Sequence, residues 1–138
     1  MAHHDMKIRI YYEDTDAGGV VYHGSYLNFA ERGRTEFLRD IGHQNSDLRK
    51  EFGVIFVVKH MDIEYVSPGF LDDILRLETS IEEMKNSSFV MRQTLYCENR
   101  NDVLVCDMKV ALVTVNSEAI KPSRIPDALR GEFEKFID

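Results

Sequence analysis

Between residues 54 and 115 the apolar side chains recur at every second position through four successive runs, and no other feature narrows the possible folds as much. Residues 54–66 set Val57, Met61, Ile63 and Tyr65 on one face against His60, Asp62 and Glu64. Residues 73–83 bring Leu75, Leu77 and Ile81 together, and residues 88–98 alternate Phe89, Met91, Leu95 and Cys97 with Arg92, Thr94 and Glu98. Residues 103–115 place Leu104, Cys106, Met108, Val110 and Leu112 opposite Asp107 and Lys109. Ser67-Pro-Gly69 breaks the first run from the second, and Asn99-Arg-Asn-Asp102 has the composition of a hairpin turn. Four strands in succession joined by short turns predict an antiparallel sheet.

The segments on either side supply helices. Residues 7–13 alternate and are rich in branched and aromatic side chains, which predicts one more strand. Residues 14–24 are irregular. From Ser25 to about Ile41 the period is helical, with Tyr26, Ala30, Gly33, Phe37 and Ile41 on one stripe that Leu27 and Leu38 widen, and Gly42 as the stop. A short helix over 46–52 ends before Gly53, and Pro126 opens a terminal helix to about Phe136. The order of elements predicts one α+β domain over residues 1–138, with the long helix against one sheet face. Its edge strands and uncovered face invite a second copy of the chain.

Charge and length exclude several functions. A net charge of −7 argues against nucleic acid, which needs a basic face. No apolar run approaches the roughly 20 residues that span a bilayer, and the first residues lack the pattern of a secretory signal, so cytoplasmic residence is expected. Cys97 and Cys106 flank the predicted hairpin and could face each other; without an export signal, reduced thiols are expected. Their spacing fits no zinc motif, and His3, His4, His43 and His60 have no ligand-like spacing, so neither a metal nor a cofactor is expected.

Chemistry concentrates in residues 12–34. Asp14 reads as a turn aspartate. A calcium loop starting there fails, because its twelfth position is Ser25 where a glutamate is required. Asp16 stands beside the Gly18-Gly19 pair, where a backbone can approach a ligand closely. His23 stands at the start of the long helix, where free N–H groups and the helix dipole favour developing negative charge. No Gly-x-Ser-x-Gly elbow surrounds Ser25, which reads as a helix cap. Tyr12 and Tyr22 are suited to packing or to donating a phenolic hydrogen bond, and Glu31 to solvent or to Arg34.

The run Tyr12-Glu-Asp-Thr-Asp16-x-x-Gly-Val-Val-Tyr-His23-x-x-Tyr26, followed by Glu31-x-x-Arg34, resembles the signature of hot-dog-fold acyl-CoA thioesterases. Within them it is most similar to the Tol-Pal-associated YbgC group, related to 4-hydroxybenzoyl-CoA thioesterase. Ser67-Pro-Gly with Leu71-Asp-Asp, and Lys121-Pro-Ser-Arg-Ile-Pro126, also fit. The resemblance implies a long central helix wrapped by a five-stranded antiparallel sheet. It further implies dimers joined edge to edge, commonly paired into homotetramers, with active sites between protomers. It implies Asp16 as general base or nucleophile, the His23 backbone N–H as oxyanion donor, and Tyr12 as a catalytic neighbour. Gly19, Val20, Tyr22 and Lys59 become candidates for substrate contact, and Lys85, Arg92 and Lys121 join Lys59 as candidates for coenzyme A phosphates. The substrate implied is acyl-CoA, with acyl carrier protein as a further possible partner. Two other readings stay open: a binding module for acyl thioesters or acyl carrier protein without turnover, and a hot-dog dehydratase.

Overall fold

The computed structural model describes residues 2–137. Its elements are β1 (His4–Arg9), α1 (Ser25–Asp40), α2 (Asn45–Phe52), β2 (Val54–Tyr65), β3 (Ile74–Met84), β4 (Ser88–Cys97), β5 (Val103–Asn116) and α3 (Asp127–Glu134). The five strands form one antiparallel sheet in the order β1-β3-β4-β5-β2, so β1 and β2 are its edges. This is the α+β arrangement of a helix lying against a five-stranded sheet.

α1 buries Tyr26, Phe29, Ala30, Gly33, Phe37 and Leu38, while Leu27, which the periodicity assigns to the stripe, is exposed. The buried stripe is therefore centred on Phe29 and Gly33 and not on Leu27. Gly33 marks the closest approach of helix and sheet: a Cβ there would lie 2.2 Å from Leu77 Cδ2. Across the same contact the fully buried Gln93 of β4 donates to the Ala30 carbonyl at 2.9 Å and to Thr79 Oγ1 at 3.2 Å. The sheet's inner face supplies Leu75, Leu77, Ile81, Met91, Leu95, Met108 and Val110, in the alternation the sequence predicts. The outer face carries ion pairs such as Arg92–Asp107 between β4 and β5 and Arg76–Glu78 along β3.

Four expectations change. β1 begins earlier and ends at Arg9; Tyr12–Asp14 is a single 3-10 turn, because the Asp14 carboxylate accepts the Tyr11 N–H at 2.8 Å and curls the chain. In β2 the register slips between Val58 and His60, so Val58, Met61, Ile63 and Tyr65 pair with the inward residues of β5, and Val57 turns outward. Cys97 and Cys106 do not face each other, since Cys106 pairs with Leu95 and Cys97 with Val103; both thiols are free and buried. Pro126 stands just before the first residue of α3, not within it. No helix among the described residues is long and apolar enough to cross a membrane.

Candidate active site

The segment after β1 folds as a small hairpin of its own. Thr15 pairs with Val21, the Asp16 N–H donates to the Val20 carbonyl at 2.9 Å, and the Tyr22 N–H donates to the Asp14 carbonyl at 2.8 Å. Gly19, at φ +81°, closes the turn by donating to the Asp16 carbonyl at 3.0 Å. The Asp16 side chain is exposed, and one carboxylate oxygen accepts the Gly18 N–H at 2.8 Å. Its other oxygen accepts no hydrogen bond among the described residues.

His23 follows at the far end of the hairpin, where the chain enters α1. Gly24, not Ser25, occupies the cap position, and no side chain caps the helix. Ser25 is instead the first helical residue, its hydroxyl donating to the Asp14 carbonyl at 3.2 Å. The N–H groups of His23 and Gly24 have no partner among the described residues, so two donors stand open at the positive end of α1. A cleft of about 280 Å³ opens here, lined by Val21, His23, Tyr26, Tyr65, Val66 and Ser67. The Tyr65 hydroxyl reaches the His23 carbonyl at 3.4 Å, and its ring stands edge-on to the imidazole at 6.3 Å between centroids. The Tyr22 ring packs on the other side at 4.5 Å.

The hairpin is held from outside. The Val21 N–H donates to the Gly69 carbonyl at 2.8 Å, and the Gly69 N–H donates to the Tyr26 hydroxyl at 3.1 Å. Burial pushes the Tyr26 phenol above its usual range, which keeps it a neutral partner. The loop bearing Gly69 is anchored by Asp73, which accepts from the Phe70 N–H, Asn99 Nδ2 and Arg100 Nη2, each at 2.9 Å. Arg100 also donates to the Pro68 carbonyl at 2.8 Å and lies over the Phe70 ring. Burial pushes the Asp73 carboxyl up, but these bonds outweigh it and hold the group below the usual carboxylate range. Tyr65 and Arg100 carry no local signal of such a role in the sequence; Gly69 and Asp73 lie in the Ser67-Pro-Gly and Leu71-Asp-Asp runs, but what joins all four to the motif is sheet pairing.

The candidates thus separate. Asp16, Gly19, Val20, Tyr22 and His23 share the hairpin. Tyr12 lies apart from the His23 cleft, in an open groove with Arg9, Tyr11 and Leu71, and is largely exposed. Lys59 occupies the bulge of the β2 edge and makes no ion pair among the described residues. Of the other phosphate candidates, Lys85 pairs with Glu83 at 3.4 Å and Arg92 with Asp107 at 2.9 Å, while Lys121 is exposed and unpaired among the described residues. Glu31 is exposed and does not pair with Arg34, whose guanidinium donates to Gln93 Oε1 at 3.0 Å. His3 meets Asp5 at 3.0 Å and Glu78 at 3.9 Å on the exposed face of β1 and β3, contacts its spacing in the sequence does not reveal.

The chain is similar to known proteins over most of its length. The profile of the Thioesterase superfamily matches residues 18–104. The chain belongs to that family. It is 42% identical over 128 residues to the acyl-CoA thioester hydrolase YbgC of Escherichia coli O6:H1, covering 93% of each chain. It is 40% identical over 126 residues to the acyl-CoA thioesterase YbgC of Haemophilus influenzae, covering 91% of this chain and 90% of the relative. The crystal structure of a probable thioesterase from Bartonella henselae superposes with a TM-score of 0.84 at 39% identity, over 91% of this chain and all of that one. The fold is therefore the hot-dog fold of this thioesterase family, and the chain is a thioester hydrolase of the YbgC type.

Proposed function

We propose that this thioesterase hydrolyses acyl-CoA to a free acid and coenzyme A, with Asp16 acting on the water and the start of α1 holding the oxyanion. The observation that carries the reading is the pair of unpartnered N–H groups at His23 and Gly24, on the same hairpin as a carboxylate with one free oxygen. Asp16 and His23 stand on the two arms of that short hairpin, on either side of the Thr15–Val21 bridge.

Asp16 takes a proton from that water as its oxygen adds to the thioester carbonyl. The carbonyl oxygen becomes an anion facing the two N–H groups, which are worth about 3–4 kcal/mol of barrier in sites of this kind. When the C–S bond breaks, the thiolate of coenzyme A leaves and takes up the proton. Direct attack by Asp16, through an anhydride that water then opens, uses the same geometry. The open donors favour a reaction with a developing oxyanion over a binding module, and the similarity to acyl-CoA thioester hydrolases favours hydrolysis over dehydration.

The β2 edge supports self-association. It runs the length of the strand with Val57, Val58 and Tyr65 exposed, and it ends at the His23 cleft. We infer that a second copy pairs there and closes the cleft. The decisive experiment is Asp16→Asn, followed by release of free thiol from acyl-CoA. Loss of turnover by about 10²-fold or more with the fold retained is expected; turnover near that of the unaltered chain overturns the role of Asp16.

A further inference from the structure

Arg34 is half-buried on α1, and one hydrogen bond to Gln93 uses only one of its five donors. No carboxylate stands within ion-pair distance of it among the described residues, although burial pushes its guanidinium pKa down and only the nearby Glu31 pulls it back. Its remaining nitrogens are not among the buried groups sealed without a partner, so they open onto accessible space. That space is a cavity of about 310 Å³ lined by Leu38, Leu48, Phe56, Val58 and Leu112 together with Glu31, Thr35 and Asn45. A half-buried guanidinium in a largely apolar pocket, with Glu31 on the lining but beyond ion-pair distance, is an arrangement that a closer anionic ligand improves.

The cavity lines up with the candidate active site. Arg34 lies about 14 Å along α1 from its first residue, Ser25, just beyond His23, and shares its helix face with Leu27 seven residues before it. Leu27 lies exposed on that face between them. β2 runs alongside in the opposite direction, with Tyr65 at the His23 cleft and Phe56 and Val58 at the Arg34 cavity. Met61 and Ile63, half-buried on the helix-facing side of β2, line the stretch between. Leu27, Met61 and Ile63 therefore supply apolar surface between the two cavities, one at the oxyanion donors and one at the guanidinium.

We propose that the distal end of the acyl group occupies this cavity and carries a carboxylate that pairs with Arg34, making ω-carboxyacyl thioesters the favoured substrates. This rests on the thioester reading above and adds to it the class of acyl group. An extended chain advances about 1.2 Å per bond, and an arginine side chain leans toward the helix N-terminus, so eight to about thirteen bonds separate the thioester carbon from the carboxylate. Glu31, exposed on the same face one turn before Arg34, opposes a second negative charge and keeps the preference moderate.

The test compares decanoyl-CoA with the mono-CoA thioester of the ten-carbon diacid, by thiol release. The unaltered chain should favour the diacid thioester in kcat/KM by about tenfold or more, the value of a charged hydrogen bond. Arg34→Met should reverse that preference, Arg34→Lys should restore part of it, and Glu31→Gln should lower KM for the diacid thioester alone. Equal rates on both substrates in the unaltered chain, or an equal loss on both in Arg34→Met, overturn the proposal and leave Arg34 as a partner of Gln93 only. Calorimetric titration with the free ten-carbon diacid and with decanoate separates this result from a failure of the thioester reading. Tighter diacid binding that Arg34→Met abolishes supports the subsite even if no thioester is cleaved, and indistinguishable binding overturns it even if acetyl-CoA is cleaved.

Discussion

Replacing Arg100 with methionine should loosen the active-site hairpin from a distance. Methionine keeps much of the packing against Phe70 but removes two bonds, at 2.9 Å to Asp73 and 2.8 Å to the Pro68 carbonyl. Hydrogen bonds to charged groups contribute roughly 1.5–3 kcal/mol each. Here a third of the Arg100 side chain is exposed and Asp73 keeps its bonds from Phe70 and Asn99, so solvent screening discounts the sum to about 2 kcal/mol. For a chain of this size that is about 6 °C in Tm. The sign with pH is fixed by Asp73, whose carboxyl lies below its usual range in the folded protein despite the upward push of burial. Its contribution is complete above the unfolded value of about 4 and is lost as pH falls through the lower folded value. Arg100→Met lessens that depression, so the gap in Tm between variant and unaltered chain should be widest at neutral pH and narrow in acid. Because the Pro68–Phe70 loop holds Val21 and Tyr26, thiol release at 20 °C should also slow several-fold. Thermal unfolding at pH 7 and pH 3 checks the energetics. A gap under 2 °C at neutral pH, or one that widens in acid, refutes the account of the brace.

Gly33→Val should destabilise by roughly 2 kcal/mol, since even a Cβ stands 2.2 Å from the fully buried Leu77, and a lower urea midpoint at unchanged slope would register it. Burial pushes the Cys106 thiol up to about 12 and raises that of Cys97 as well, so a disulfide reagent at pH 8 should label neither thiol in the folded protein and both in urea. Rapid labelling of the native chain would show the core to be more open than described. Val57→Glu with Val58→Glu should lower the mass observed by sedimentation equilibrium by placing charges along the β2 edge. An unchanged mass moves the self-association surface elsewhere. His23→Ala should lose only part of its turnover, because the donor is the backbone; a variant at the detection limit of thiol release would assign the main role to the imidazole.

Periodicity carried most of the fold. Strands β3, β4 and β5 bury the side chains their alternation predicts, because each lies inside the sheet with one face to the helix. β2 departs because it is an edge. Its bulge at Lys59 reverses the facing of every residue on one side, and a lone bulge in a run of valines leaves no mark in composition. The reading of residues 7–13 as strand fails for a local reason, since Tyr11 and Tyr12 alternate acceptably but Asp14 offers its carboxylate to the backbone three residues back. Gln93 interrupts the apolar series of β4 while keeping its inward parity, and it is fully buried because α1 comes close enough at Gly33 for the amide to reach the Ala30 carbonyl.

The same distinction explains how much of the candidate site could be read. Asp16, the glycine turn and His23 are legible because their chemistry is contiguous, and a hairpin closed by Gly19 at positive φ brings them together within one local structure. A hairpin of this length is marginal by itself. Its geometry is set by Val20 pairing with Phe70 and by Val21 binding Gly69, and Gly69 in turn is held by Tyr26 and by the Asp73–Arg100 brace. The positions of Gly69 and Arg100 follow from the pairing of β3 with β4, which no short stretch of sequence displays. Chemistry supplied locally and geometry supplied by distant sheet register make different demands on substitution. Changes within the hairpin should alter the reaction at nearly constant stability. Changes in the Ser67–Asp73 loop or at Arg100 should lower stability and turnover together, in proportion to the support they remove.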